Sequence, residues 1–311
     1  MMDAPGPRGL DELPAVGAAI VTLGVFDGVH LGHRAALAAT ARAAADVGLA
    51  SVAIIFEPHP LAVLQPDSGV PRLAPFDVNL DRLRAARLVD HVVPLRFDHA
   101  LSQLPALVFL NELAPSIVVR GVAMAPDSSF GHARGGTPQA IAAAGRRVIV
   151  VPPLIVDAEP VSSTRIRIAV AAGEVLQAAA LGAPTYLRGR VVHGDQRGRE
   201  LGFPTANLAF DYRPAMPALG IYLGRVAVSS RGVGPDHPAL VSVGVRPTFH
   251  DDGRVLVEVY LLDFDADLYD AELAVVLDDR LRAERRFASV EALVTQMRAD
   301  ETHARRLLRI G

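Results

Sequence analysis

Three residue types are missing from this sequence of 311 residues: cysteine, tryptophan and lysine. Without cysteine the chain has no disulfide scaffold, thiolate metal site or cysteine nucleophile, which fits a reducing compartment. All 31 basic side chains other than histidine are arginine, so a Walker A loop, a protein-kinase fold and a Schiff-base enzyme are excluded. If this chain handles phosphate, it must use arginine, histidine, backbone amides or a metal ion.

The sequence also has no excess of positive charge and no long apolar run. Its formal net charge is −3, so we expect no nucleic-acid partner. The first residues are acidic and rich in proline and glycine, unlike a signal peptide, and apolar stretches such as residues 148–153 are far shorter than a membrane span. We therefore expect a cytoplasmic protein without a membrane partner. The sequence carries no signal for its oligomeric state.

The first half alternates short apolar strands with helices, a pattern typical of a parallel sheet covered on both faces. The predicted strands are Ala18–Leu23, Ser51–Phe56, His91–Leu95, Ile117–Arg120 and Arg147–Val151. The first predicted helix begins near Gly32, and further helices are predicted over Val78–Leu88, Pro105–Leu113 and Pro138–Gly145. A helical pair follows over Thr164–Leu181.

From Tyr186 onward the pattern changes to short strands separated by glycine, proline and aspartate, which predicts an antiparallel barrel. A helix over Val290–Leu308, with Ser289 as its N-cap, closes the chain. The resulting prediction is an N-terminal tail over residues 1–16, a parallel-sheet domain over residues 17–183 and a barrel domain over residues 184–311.

A glycine-rich turn with two histidines follows the first predicted strand. Its sequence, GVFDGVHLGH at Gly24–His33, opens a helix, where glycines let a ligand approach the backbone and free amides favour a phosphate. His30 and His33 share one face, and two imidazoles can stabilise charge on a reacting phosphorus. An ordinary turn with exposed histidines is the alternative, but the complete H-x-G-H favours nucleotide binding. A zinc site has neither the helical spacing nor a third ligand.

Two further segments fit the same kind of site. Phe56–Pro60 (FEPHP) ends the second predicted strand, and open α/β sheets bind ligands at such strand ends. The segment also serves as a rigid turn. Val161–Arg167 (VSSTRIR) places two hydroxyl residues before a predicted helix, where they are good caps. Together with the arginines they can instead form a phosphate cradle.

In this order, the three segments resemble the nucleotidyltransferase half of the bacterial bifunctional riboflavin kinase/FMN adenylyltransferase (FAD synthetase) family. The second half resembles the same family independently, because Gly194–Asn207 (GDQRGRELGFPTAN) is similar to its riboflavin-kinase signature. Ser242–Phe249, Glu258, Asp267–Tyr269 and Leu281–Glu284 follow in the expected order. The resemblance covers residues 17–308. It implies an α/β chain with a Rossmann-like nucleotidyltransferase domain and a C-terminal riboflavin-kinase barrel.

For the barrel, the resemblance implies transfer of the ATP γ-phosphate to the 5′-hydroxyl of riboflavin, with Mg²⁺. It places Thr205 and Asn207 at the metal and its nucleotide and makes Glu258 the catalytic base. A polar residue on the solvent face of an alternating strand is the other interpretation of Glu258. The remaining ATP or flavin contacts implied for the barrel are Gly194, Arg199, Gly202, Phe203 and Pro204.

For the first half, the resemblance implies that FMN is joined to AMP from a second ATP, with release of pyrophosphate. His30 and His33 are the catalytic candidates there. The further ATP or flavin contacts implied are Gly24, Phe26, Asp27, Gly28, His59, Asp127, Ser163, Thr164 and Arg167.

Two departures from the family pattern keep other functions open. In Arg120–Gly136 the family aromatic is replaced by Ser128, and Asn79 stands where the family often has lysine. One alternative is a paralogue with an active kinase half and a weak or re-specified adenylyltransferase half. Another is a flavin- or nucleotide-sensing protein without turnover. Products formed from riboflavin, ATP and Mg²⁺ separate the three: FAD, FMN alone, or none.

Overall fold

The protein divides into two compact units. Its computed structural model describes residues 6–194, 198, 201–245 and 255–309. The first unit comprises Met1–Val70 with Pro75–Ser163, and the second comprises Pro71–Ala74 with Thr164–Gly311. The domain boundary expected between residues 183 and 184 stays a prediction. Among the residues described, no helix combines the length and the apolar character needed to cross a membrane.

A parallel five-stranded sheet forms the centre of the first unit, as predicted. Its strands are β1 (Gly17–Gly24), β2 (Ala50–Glu57), β3 (His91–Arg96), β4 (Ile117–Met124) and β5 (Arg147–Val150), in the order β3-β2-β1-β4-β5. Both faces are buried: Ala19 and Val21 pack into one cluster, and Ile20 packs into another. Because successive side chains point to opposite faces, this burial explains why the strands are continuously apolar.

Helices cover the sheet on both faces. They are α1 (Leu31–Ala45), α2 (Pro60–Leu64), α3 (Phe76–Ala86), α4 (His99–Ser102), α5 (Ala106–Glu112) and α6 (Pro138–Ala143). Leu37 of α1 and Leu80 of α3 pack against Ile55, whereas Phe109 of α5 packs in the cluster that holds Ile54. A hairpin of β6 (Ile155–Val156) and β7 (Glu159–Pro160) follows, and 3₁₀ turns lie at Leu10–Glu12, Pro66–Ser68 and His132–Arg134.

The second unit is a closed antiparallel barrel with helices beside it, which confirms the predicted class. The helices are α7 (Ser163–Ala172, of which Ser163 belongs to the first unit), α8 (Val175–Ala180) and the terminal α9 (Val290–Leu308). The strands are β8 (Tyr186–Val192), β9 (Ala206–Ala209), β10 (Gly220–Val228), β11 (Val233–Val245), β12 (Val255–Leu261) and β13 (Glu272–Ala283). They close in the order β10-β11-β12-β9-β8-β13, and a 3₁₀ turn lies at Ser229–Arg231.

The terminal helix lies on the outer face of the barrel. Its predicted bounds and cap are confirmed, since the Ser289 side chain accepts a hydrogen bond from the Ala292 amide at 3.2 Å. Ala304 is fully buried against Leu223 and Leu240. One of the two candidate sites lies in the space between α9 and this face of the barrel.

Candidate active sites

The turn between β1 and α1 lies at the strand end where parallel sheets bind ligands. The strand order reverses beside β1, which pairs with β2 on one side and β4 on the other, and ligands bind at such switch points. Phe26 and Val29 have φ angles of +50° and +47°, and Gly28 has +84°. A positive φ is a genuine outlier for a β-branched residue, so the turn is held in a strained conformation.

His30 and His33 lie side by side at the start of α1, as their spacing predicts. His30 is the N-cap residue, and its Nδ1 accepts a hydrogen bond from the His33 amide at 3.3 Å. The imidazole rings stack, with centroids 3.6 Å apart and planes inclined by 19°. The edge of Phe26 contacts His33 at 5.2 Å between centroids. The cap and the stack fix both rings next to the first amides of the helix.

Asp27 and Gly28 are held by residues from two other segments of the first unit. The Gly28 amide donates to Asn79 Oδ1 at 2.9 Å, and Asn79 Nδ2 donates to Asp27 Oδ1 at 3.3 Å. The Ser163 hydroxyl donates to the Asp27 carbonyl at 3.0 Å. Asp27 is buried and Asn79 is completely so. Ser163 therefore supports the turn.

The other predicted residues of this site lie on different elements. Gly24 is the last residue of β1, and His59 caps α2 by accepting from the Leu61 amide at 3.1 Å. Asp127 is exposed in the loop after β4. Thr164 and Arg167 belong to the second unit, where Arg167 Nε donates to the Pro71 carbonyl at 2.7 Å. Their role at the nucleotide stays a prediction.

A cavity of about 370 Å³ lies on the outer face of the barrel, against α9. Glu258 lines it, on the outward side of β12, while its neighbours Val257 and Val259 are buried in the barrel core. The alternation predicted for this strand is thus confirmed. Its outer face is partly covered, however, because Leu293 of α9 also lines the cavity and Glu258 is only half-buried.

Glu258 lies opposite Asn207 in the register of β12 and β9, and opposite Ser242 in β11. Directly opposed residues in antiparallel strands bring their side chains together. Thr205, two residues before Asn207, lines the same cavity. The two predicted metal-site residues and the predicted base therefore surround one space.

A second cavity, of about 550 Å³, adjoins the first at Thr205 and Asn207, which line both. Its other walls include Gly194, Pro204, Asp267 and Tyr269. The Tyr269 ring stacks on His193 with centroids 3.8 Å apart. Thr205 and Asn207 thus form a shared wall between two cavities of a size that small-molecule ligands occupy.

Two glycines approach this wall so closely that no side chain fits. A Cβ at Gly198 would lie 2.5 Å from the Phe203 carbonyl oxygen and 3.0 Å from Thr205 Oγ1, and a Cβ at Gly194 would collide with the Asn207 amide. Phe203 is buried, and its ring packs edge-on against Tyr260 with centroids 5.4 Å apart. Gly202 has a φ of +84°. Arg199, which is predicted at this site, lies outside the described residues. The same holds for Arg246–Phe249, the second part of the Ser242–Phe249 segment.

Burial governs the ionisation of the tyrosine beside Glu258. Desolvation raises the pKa of Tyr260 above its usual value, and the negative charge of Glu301 raises it further. Tyr260 therefore stays neutral in the cavity at physiological pH.

Comparisons with known proteins match both halves of the chain. A family model described as FAD synthetase matches residues 14–165, and one described as riboflavin kinase matches residues 181–308. A bifunctional riboflavin kinase/FMN adenylyltransferase from Pseudomonas fluorescens is 39% identical over 310 residues, covering 96% of each chain. The chain belongs to the bifunctional riboflavin kinase/FMN adenylyltransferase family. The Escherichia coli K12 member is 36% identical, again over 96% of each chain.

A solved structure supports the fold of both halves. The crystal structure of a Streptococcus pneumoniae protein, described as a macrolide-efflux protein, has a TM-score of 0.83 and 31% identity, and the match covers 96% of this chain and 98% of that one. The two family models name flavin enzymes instead. Because each half matches its own model, the alternative of an active kinase half with a weak or re-specified adenylyltransferase half is not favoured.

The loop that departs from the family pattern folds as a turn. The Ser128 hydroxyl, in place of the family aromatic, donates to the Ala125 carbonyl at 2.8 Å. Phe130 packs edge-on against Phe109 with centroids 6.2 Å apart. Ser128 therefore makes a local hydrogen bond where the family pattern has an aromatic, and the partly buried Phe130 packs against the core.

Sequence reasoning singled out none of three residues of the first cavity: Arg285, Phe287 and Asp300. Asp300 could have been found from the sequence. Leu293, Met297, Asp300 and Ala304 fall at helical spacing on one face of α9. An acid on an otherwise apolar face requires a buried partner. That partner is Arg282, whose Nε and Nη2 donate to the Asp300 carboxylate at 2.8–3.0 Å.

Proposed function

We propose that this chain makes FAD from riboflavin in two steps, at two separate sites. The barrel phosphorylates riboflavin to FMN with ATP, and the turn after β1 adenylylates FMN with a second ATP, releasing pyrophosphate. The observation that carries the kinase assignment is the shared wall of Thr205 and Asn207, which adjoins the Glu258 cavity on one side and the larger cavity on the other.

Riboflavin occupies the first cavity and ATP the second. The first cavity has the aromatic walls Phe203, Tyr260 and Phe287, which suit a flat ring system. The second cavity adjoins glycine-rich backbone at Gly194, and backbone amides there hold phosphates without a lysine. The γ-phosphate then faces the riboflavin hydroxyl across the shared wall.

Glu258 is the base for this transfer. It removes the proton of the riboflavin 5′-hydroxyl as that oxygen bonds to the γ-phosphorus, and the bond from the γ-phosphorus to the ADP oxygen breaks. ADP leaves, and Glu258 returns the proton to solvent. Phosphoryl transfer needs mainly positioning and neutralisation of charge, which a cavity with side chains on several sides favours.

The donors at the shared wall fit Mg²⁺. Thr205 and Asn207 offer a hydroxyl and an amide oxygen, the hard ligands that Mg²⁺ prefers, and the two glycines leave room beside them. In the described part of the chain, no group of three or more histidine or carboxylate side chains is positioned to hold a metal. Mg²⁺ commonly enters such sites with substrate phosphates and water. When bound, it neutralises phosphate charge.

In the second step, a phosphate oxygen of FMN attacks the α-phosphorus of ATP, and the bond to pyrophosphate breaks. His30, His33 and the first amides of α1 stabilise the charge that builds on the phosphorus. Gly24, Phe26, Asp27 and Gly28 shape the turn. His59, Asp127, Ser163, Thr164 and Arg167 complete the proposed ATP and flavin contacts.

Two single variants test the assignment. Glu258→Gln is expected to abolish FMN formation from riboflavin and to leave FAD formation from supplied FMN intact. His30→Ala is expected to do the reverse. Chromatography of the flavins formed with ATP and Mg²⁺ measures both reactions. Glu272→Gln, a change on an exposed residue of β13, is the control and should retain both. Loss of the same reaction from both variants would refute the two-site assignment.

A further inference from the structure

A fully buried asparagine supports the turn that carries the two histidines. Asn79 lies in the first turns of α3, is 0% exposed, and stands in a helix, where asparagine is an unfavourable residue. A buried amide is also costly unless its polar atoms are hydrogen-bonded. Neither helix propensity nor apolar packing favours this residue, so its hydrogen bonds must account for it.

Those hydrogen bonds fix the orientation of the amide. The Gly28 backbone N–H can only donate, so the atom that faces it at 2.9 Å is the amide oxygen. The amide nitrogen then faces the Asp27 carboxylate and donates to it at 3.3 Å. One side chain therefore holds two consecutive residues of the turn, through a backbone group and a side chain.

The turn that these hydrogen bonds hold has a strained backbone. Phe26 and Val29, on either side of the bridged pair, both have positive φ angles. Strained conformations of this kind persist only where their surroundings over-determine them. A lysine at position 79 would offer three donors and no acceptor, so it could not receive the Gly28 amide. The bridge is therefore specific to the asparagine in this lysine-free chain.

We propose that Asn79 is a positioning residue for adenylyl transfer. It acts through Asp27 and Gly28 and holds the turn, and with it the first amides of α1 and the capped His30, in the conformation that receives the ATP phosphates. This inference rests on the proposed role of the turn as the adenylyltransferase site. Asn79 itself is fully buried, so it acts through these two residues.

The deciding variant is Asn79→Ser, which shortens the side chain and removes both bonds. In FAD formation from FMN, the KM for ATP should rise about tenfold and kcat should fall, while the KM for FMN changes by less than about twofold. A purely structural role would lower the active fraction and leave both KM values unchanged. Riboflavin phosphorylation by the same sample should be unaffected. Asn111→Ser, an exposed asparagine on α5, is the matched control.

A second pair of variants tests whether Asn79 acts through Asp27. Asn79→Asp puts two carboxylates side by side, whereas combining it with Asp27→Asn restores one carboxylate and one amide in exchanged positions. Asn79→Asp should lower kcat/KM for ATP about tenfold or more in the natural chain. The same substitution should lower it less than about threefold in a chain that already carries Asp27→Asn. If Asn79→Asp does not fold, the Asn79→Ser comparison decides.

The proposal is overturned if Asn79→Ser keeps the natural KM for ATP, or if Asn79→Asp has the same effect in both backgrounds. His30→Ala in the same assay separates this failure from a failure of the proposed function. If His30→Ala abolishes FAD formation and Asn79→Ser does not change it, only the role of Asn79 is refuted. If His30→Ala retains FAD formation, the site itself is assigned wrongly.

Discussion

The imidazole rings of His30 and His33 stack 3.6 Å apart while the first ring also caps the helix that carries the second. Because His30 Nδ1 accepts the His33 amide, the proton of a neutral His30 ring lies on Nε2. One side chain thus has two functions, in the stability of α1 and in the proposed chemistry. The two can be separated by substitution.

His30→Asn keeps a good N-cap, whereas His30→Ala removes it. Loss of the cap should lower the free energy of unfolding of the first unit by about 1 kcal/mol, and asparagine should recover most of it. Adenylylation of FMN should fall about 100-fold or more in both variants, because neither offers an imidazole to the phosphate. Circular dichroism melts and FAD formation from FMN measure the two effects. Recovery of activity by asparagine would show that capping is the whole role of His30.

Gly198→Ala tests the shared wall of the two barrel cavities. Its Cβ would meet the Phe203 carbonyl at 2.5 Å and Thr205 Oγ1 at 3.0 Å, so the Phe203 backbone, two residues before Thr205, must shift. A displacement of about 1 Å can lower a reaction rate about 100-fold, and we expect such a loss in FMN formation with adenylylation unchanged. Gly234→Ala, on an exposed part of β11 where a Cβ meets nothing within 4 Å, is the control. Equal activity of the two variants would contradict the role given to Thr205.

The alternation of β12 shows what the sequence could and could not establish about this site. Buried Val257 and Val259 flank Glu258, so period-two patterning places Glu258 on the outer face. Whether that face meets solvent depends on α9, which packs from more than thirty residues further along the chain. Only the resemblance to a family favoured a catalytic carboxylate over a solvated one at this position.

Asp300→Asn tests the ion pair that anchors α9 beside the first cavity. Side-chain exposure is 18% for Arg282 and 7% for Asp300, and removing one partner of a buried pair costs about 3 kcal/mol. Tryptophan is absent, and all five tyrosines lie between residues 186 and 269, so tyrosine emission during urea unfolding reports on the second unit. Asp236→Asn, whose side chain is 75% exposed beside Arg225, should cost less than about 1 kcal/mol. If Asp300→Asn and Asp236→Asn lower the free energy of unfolding equally, the ion pair of Arg282 and Asp300 does not anchor the helix.

Ser51→Ala should lose stability in a pH-dependent way. The Ser51 hydroxyl and backbone amide both donate to Asp90 Oδ2, at 2.7 and 2.8 Å, and these bonds lower the pKa of Asp90 below its usual 3.8. A lowered folded-state pKa stabilises the fold above the unfolded-state pKa, and this contribution is lost as the pH falls through the folded-state pKa.

The stability difference between the natural chain and Ser51→Ala should therefore be larger at pH 7 than below pH 3.8. Urea unfolding followed by circular dichroism measures it in the first unit. Ser116→Ala removes a hydroxyl that donates to the Leu13 carbonyl at 3.1 Å and serves as the control, with a difference that does not vary with pH. A constant difference for Ser51→Ala would refute the link to Asp90.

Asn79 marks the limit of sequence reasoning in the first unit. Its departure from the family pattern could be seen, but no local pattern predicts that a residue of α3 will bond to Gly28, 51 positions earlier. The strands and the histidine spacing were predictable because they depend on near neighbours in the chain. The bridge depends on how α3 packs against β2 and β3, which is a tertiary property.

The central claim, two independent sites in one chain, is tested most directly by mixing two defective proteins. Given riboflavin, ATP and Mg²⁺, neither Glu258→Gln nor His30→Ala alone should make FAD. An equimolar mixture should make it, because FMN released by the His30→Ala chains can be adenylylated by the Glu258→Gln chains. A mixture that forms no FAD, although both variants are folded at the assay temperature, would contradict the account.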